Sequence, residues 1–123
     1  MKMHFVSSYE WCEAWADERD PNAGGASHKY EVRHYPPLAG GAYYTYAELS
    51  FQHGPRNVAG STVGCLDDHV LAIEIDRMRA FQGGPFACDA NAEVLNHLEA
   101  AQRILRERAE ERRARGVLGK NEV

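Results

Sequence analysis

Apolar and polar residues alternate in short runs along the first half of the chain and recur at helical spacing along the second. His4 to Ser8 predicts a strand. Lys29 to Tyr35 predicts another, with Tyr30, Val32 and His34 on one face and Glu31 and Arg33 on the other. Pro36-Pro37 closes that run and Gly40-Gly41 supplies the turn back. Ala42 to Gln52 is the strongest strand signal, built from Tyr43, Tyr44, Thr45, Tyr46, Leu49 and Phe51. Between the first two runs, Glu10 to Ala16 reads as a helical turn and Asp20 to Ser27 as a loop. The tyrosines fit a half-exposed sheet.

The second half reads as two helices. Asp67 or Asp68 caps a helix running through Val70, Leu71, Ile73, Ile75, Met78 and Phe81. Its apolar residues spread round the wheel, which predicts cover from a partner helix and from another subunit. Glu74 projects between Val70 and Met78, and a carboxylate buried there needs a partner. Gly83-Gly84-Pro85 ends the helix. A second helix starts near Cys88 or Asp89 and reaches about Arg115, with Gly116 at its C′ position. The fold expected is therefore α+β: a small N-terminal antiparallel sheet over residues 1–50, then an antiparallel two-helix hairpin within 51–123, in an oligomer.

Size and charge narrow the function classes. A chain of 123 residues buries a modest core, which association would enlarge. The formal charge of −4 argues against general nucleic-acid binding. Cys12, Cys65 and Cys88 are odd in number and widely spaced, and read as reduced thiols in a cytosol. Met1 to Phe5 is too short for a secretory apolar region, and no run approaches a membrane span.

No catalytic constellation emerges. None of the six histidines has Ser or Thr two residues on, as a two-histidine phosphodiesterase requires. No Cys/His group has zinc-like spacing, and neither a Gly-x-Ser-x-Gly elbow nor a Walker sequence is present. The reading is of no enzyme, no metal and no cofactor; His53, His69 and His97 read as surface or hydrogen-bonding residues. Binding elements are better represented. Ile104, Arg108 and Arg112 fall four residues apart, beside the apolar stripe Val94, Leu98, Ala101, Leu105 and Ala109. Guanidiniums at the edge of an apolar face suit phosphate. The same spacing equally fits ion pairs with Glu107, Glu110 and Glu111, and arginines here also oppose the negative end of the helix dipole. The run Phe51 to Arg56 leads into Gly60-Ser61-Thr62-Val63-Gly64, whose backbone amides can approach an anion. Phe81 and Asn91 offer a stacking face and an amide for a purine, or serve as a core ring and a helix cap.

Several ordered pieces carry a family resemblance: Phe51-Gln52-His53-Gly54-Pro55, then Leu71-Ala72-Ile73 through Ile75-Asp76-Arg77. Phe81-Gln82-Gly83-Gly84-Pro85-Phe86-Ala87-Cys88 follows with Asn91-Ala92, and then Arg112-Arg113-Ala114-Arg115-Gly116-Val117 with Gly119. Together they resemble the phage anti-Thoeris sponges of cyclic ADP-ribose, which share a helical hairpin with the anti-CBASS sponges of cyclic di- and trinucleotides. The strand-rich N-terminal half resembles the anti-Thoeris branch. The resemblance implies a non-catalytic protein in the cytoplasm of an infected bacterium. It would sequester a TIR-made cyclic ADP-ribose isomer, with cyclic di- or trinucleotides at separate sites as the alternative or addition, as a homodimer or homohexamer without membrane or polymeric nucleic acid. It also implies that Phe81 and Asn91 hold the adenine while Arg56, Arg108 and Arg112 contact phosphates and riboses, a second subunit completing the pocket. Gly60-Ser61-Thr62-Val63 stands where the family often has Gly-Val-Asn-Gly, with Gly60, Ser61 and Thr62 as further candidate contacts, and Glu74 stands where an apolar residue is common.

Overall fold

A computed structural model describes residues 2–36, 40–55 and 58–120 of the chain. Four strands, β1 (His4–Tyr9), β2 (Cys12–Ala16), β3 (Lys29–His34) and β4 (Tyr44–Ser50), precede two helices, α1 (Asp67–Gln82) and α2 (Asp89–Ala114). The strands pair antiparallel in the order β1-β2-β3-β4, each with its neighbour in sequence. The α+β class read from the sequence is thus what the chain adopts. No helix among the described residues is long and apolar enough to cross a membrane.

One element differs from expectation. The run Glu10 to Ala16 is not a helical turn: Glu10 and Trp11 form a two-residue hairpin loop and Cys12–Ala16 is β2. Both loop residues have positive φ, +50° and +64°, which suits the right-handed twist of the two flanking strands. Tyr35 donates its backbone N–H to Trp11 O at 2.8 Å, tying the loop to the end of β3.

The chain divides into two compact units. The first holds the sheet and the segment up to Cys65, rejoined by Gly119 and Lys120. Within this unit Phe51 N–H donates to His28 O at 2.7 Å and Cys65 N–H to Ser50 O at 2.8 Å, while Phe51 bridges Cys65 and His53 bridges Thr62. Ala16 is fully buried and Ser27 nearly so. The alternation of β3 is as expected, yet its charged face is not simply solvated. Arg33 is buried, its guanidinium 4.6 Å from the Trp15 ring centre and 4.4 Å from that of Tyr43, with Nε donating to Glu31 at 2.7 Å.

The second unit is the hairpin. Ile75 is its one buried apolar residue among those described, with Val70, Leu71, Met78, Leu95, Leu98 and Ala101 half-buried about it. The apolar stripe of α2 is rotated from its predicted setting, since Val94 and Leu105 are exposed while Leu95 turns inward. Glu74 is exposed, so it needs no buried partner. Leu66, not Asp67 or Asp68, is the N-cap of α1; its N–H donates to His69 Nδ1 at 2.9 Å, and both aspartates sit in the first turn against the positive pole. At the end of α2, Val117 N–H reaches Arg112 O and Gly116 N–H reaches Arg113 O, both at 3.0 Å. These are the paired bonds of a Schellman cap, with Gly116 left-handed at φ +74° as its position predicted.

Ion pairs cross the hairpin at two levels. Arg79 meets Glu99 at 2.7 Å, and Arg106 grips Asp68 with both Nε (2.7 Å) and a terminal nitrogen (3.2 Å). The hydrogen bond from Arg106 holds the Asp68 carboxyl below its usual range. A folded-state value below the unfolded one gives stability that is present above the ordinary carboxylate range and lost as the pH falls through the folded value. Asp68→Asn should therefore lower the melting temperature slightly at neutral pH and not at all in strong acid, which thermal melts across that range would measure.

Candidate functional site

The hairpin's turn brings Phe81 and Asn91 to one end. Phe81 lies in the last turn of α1 and Asn91 in the first turn of α2. The connection is fixed by side chains: Gln82 Oε1 accepts the Cys88 N–H at 3.0 Å, and Asn91 Nδ2 donates to Phe86 O at 3.2 Å. Asn91 is thus a turn-closing residue inside the helix, while the N-cap position belongs to Cys88. Phe81 remains half-buried, with the Arg77 guanidinium 5.5 Å from its ring centre. Sequence reasoning does not single out this contact of Arg77; its signal is a spacing of four from Phe81, which puts the two on one ridge.

Arg108 and Arg112 stand at the other end of α2. Seventeen residues separate Asn91 from Arg108, which at the helical rise is about 25 Å along the axis. One copy of the chain therefore does not gather the ring, the amide and the guanidiniums around a single small ligand. The two arginines also differ from each other. Arg112 is 8% exposed and donates to Val117 O at 3.1 Å, so it serves the C-terminal cap of its own helix. Arg108 is exposed. The carboxylates near it in sequence are engaged by other arginines: Glu107 with Arg103 at 3.6 Å, Glu110 with Arg113 and Glu111 with Arg115. Among the described residues, no ion pair involves Arg108.

The remaining predicted residues belong to the sheet unit. Thr62 exchanges both backbone bonds with His53 (2.8 and 2.9 Å), Ser61 N–H donates to Val58 O at 3.2 Å, and Gly60 is left-handed at φ +88°. The loop is thus a tight backbone-bonded turn. Arg56 lies outside the described residues. An open groove of about 650 Å³ on the hairpin contains Arg79, Arg103 and Arg106 but also Glu99, Glu107 and Glu110. Its charges are already matched, which makes it a poor anion site.

No family model matches the chain. Over 99 residues, 80% of its length, it is 35% identical to Thoeris anti-defense 1 of Bacillus phage SBSphiJ7. The matched region spans 64% of that protein. The resemblance carried by the motifs is therefore accompanied by similarity over most of the chain, and the chain is similar to a phage protein named Thoeris anti-defense 1.

Proposed function

We propose that the chain is a non-catalytic sponge that binds a TIR-made cyclic ADP-ribose isomer, the glycocyclic form with a ribose–ribose link, and withholds it from Thoeris signalling in the infected cell. The observation that carries this reading is the 35% identity to a protein named Thoeris anti-defense 1. The hairpin supplies what such a ligand needs: an aromatic ring and an amide for adenine at one end, and a carboxylate-free guanidinium for phosphate at the other. Because those ends lie about 25 Å apart in one chain, the pocket is completed by a second copy presenting the far end of its α2. Ile73 (60% exposed) and Ile104 (57%) leave apolar surface on the hairpin for such an association. Sequestration requires slow release and no acid–base pair.

The test is incubation with cyclic ADP-ribose isomers, heat denaturation, and mass spectrometry of what is released. Intact ligand, bound with about one site per subunit interface, is the expected result. Loss of the ligand would make the chain an enzyme, and absence of binding would leave an interaction hairpin. Calorimetry with cyclic di- and trinucleotides in parallel would show whether anti-CBASS activity replaces or accompanies the first.

A further inference from the structure

Three side chains remote in sequence meet in the sheet unit. Asp20 follows β2, His28 immediately precedes β3, and His53 follows β4. Asp20 Oδ2 lies 3.0 Å from His28 Nε2 and 3.9 Å from His53 Nδ1, and one ligand atom from each residue lies within 4.8 Å of the others. We propose that Asp20, His28 and His53 form a binding site for a zinc-like divalent transition metal, cross-linking three segments at one end of the sheet.

The backbone fixes each ligand before any ion arrives. Asp20 Oδ1 accepts the Asn22 N–H at 2.9 Å, capping the turn Pro21–Ala23 and leaving Oδ2 for the histidines. The loop behind it is closed by Gly25 N–H to Asp20 O and Asp20 N–H to Ala26 O, at 2.9 and 3.1 Å. His28 N–H donates to Asp17 Oδ1 at 3.0 Å, and His28 O accepts the Phe51 N–H at 2.7 Å. His53 is held by its bridge to Thr62. Ordering entropy for the three segments is therefore largely spent by the fold itself.

The donor set and the spacing select the metal. Two imidazoles and one carboxylate suit zinc and its first-row neighbours, whereas magnesium and calcium demand mainly oxygen. Tetrahedral coordination at zinc bond lengths puts ligand atoms about 3.3 Å apart, between the 3.0 and 3.9 Å that Asp20 Oδ2 keeps from the two imidazole nitrogens. The imidazoles are stacked, 17° between planes and 4.7 Å between centres. A metal must lie in the plane of each ring that binds it, so the rings tilt towards each other about χ2, a soft torsion. All three residues are only partly buried, so the fourth position is open to water.

The whole chain, stripped with a chelator and dialysed, is titrated with Zn²⁺ against a chromophoric competitor. One equivalent per chain should bind, raise the melting temperature, and be replaceable by Co²⁺ with the visible bands of a low-coordinate site. His28→Gln and His53→Gln should each weaken zinc about a hundredfold. Asp20→Asn retains an oxygen for the cap on Asn22, and so tests the carboxylate in a folded loop. Cys12→Ser, which removes the thiol 3.7 Å from His34 Nδ1, should bind as the parent does. The proposal is overturned if zinc fails to bind stoichiometrically, if Asp20→Asn and both histidine variants bind it unchanged, or if Cys12→Ser abolishes binding. Each of these readouts is independent of cyclic ADP-ribose.

Discussion

Arg108→Ala is expected to weaken cyclic ADP-ribose binding by about 2–5 kcal/mol while leaving the melting temperature of the unliganded protein unchanged. Two observations make the outcomes separable. Arg108 is exposed, with Glu107, Glu110 and Glu111 held by Arg103, Arg113 and Arg115, so its removal strands no carboxylate. Alanine is the best helix former, so α2 itself does not suffer. A guanidinium buried against phosphate at a subunit interface makes paired, charge-assisted bonds that water no longer screens. Arg108→Lys keeps the charge and loses the fork, and should fall between the parent and the alanine variant. Arg112→Ala is the less informative change, because it also removes the bond to Val117 O that closes the C-terminal cap. It should lower the melting temperature as well as the affinity. Calorimetry on Arg108→Ala decides: a loss of only a few-fold would remove this residue from the pocket.

The hairpin was legible because its punctuation is local. Gly83-Gly84-Pro85 stops α1, Gly116 takes the left-handed C′ position, and the 3.6-residue period between them leaves few alternatives. The β1–β2 loop was not, because such turns are normally announced by Asn-Gly or Asp-Gly and here consist of Glu10-Trp11. Five residues of β2 are too few for period alone to separate strand from helical turn. Orientation within a helix was also underdetermined. Val94 and Leu95 are both apolar, and only the packing against α1 chooses Leu95 for the inside.

The candidate sites follow the same division. Phe81, Asn91 and Arg108 stand out through motif and spacing, but the separation of Asn91 from Arg108 along α2 is visible only with the length of that helix. The resemblance implies that Arg112 contacts a ligand; its engagement with Val117 O depends on a chain reversal that spacing does not encode. The Asp20, His28 and His53 group was invisible for a different reason. Zinc motifs are recognised when ligands sit on one turn or one hairpin, whereas strand pairing brings these three together from separate connections.

Gly64→Ala should destabilise the protein by about 3 kcal/mol, the upper end of what overpacking costs. A Cβ at this position would lie 2.4 Å from Ser50 O, 2.5 Å from Phe51 C and 2.7 Å from Ser50 C. All three are backbone atoms, so no side chain can swing aside. Nor can the strand retreat cheaply. Cys65 N–H donates to Ser50 O and Gln52 N–H to Cys65 O, both at 2.8 Å, while Gly64 N–H is held by Gln52 Oε1 at 3.0 Å. Relief of the clash would break bonds that seat residues 51–65 on the sheet. Gly25→Ala is the matched comparison, since Gly25 is left-handed at φ +85° with open space where the Cβ would go. Its cost is conformational alone, about 1 kcal/mol. Urea unfolding of the two variants distinguishes the causes. Equal losses would mean that the backbone at Gly64 yields, and that the segment linking sheet and hairpin is not clamped by the close approach to Ser50.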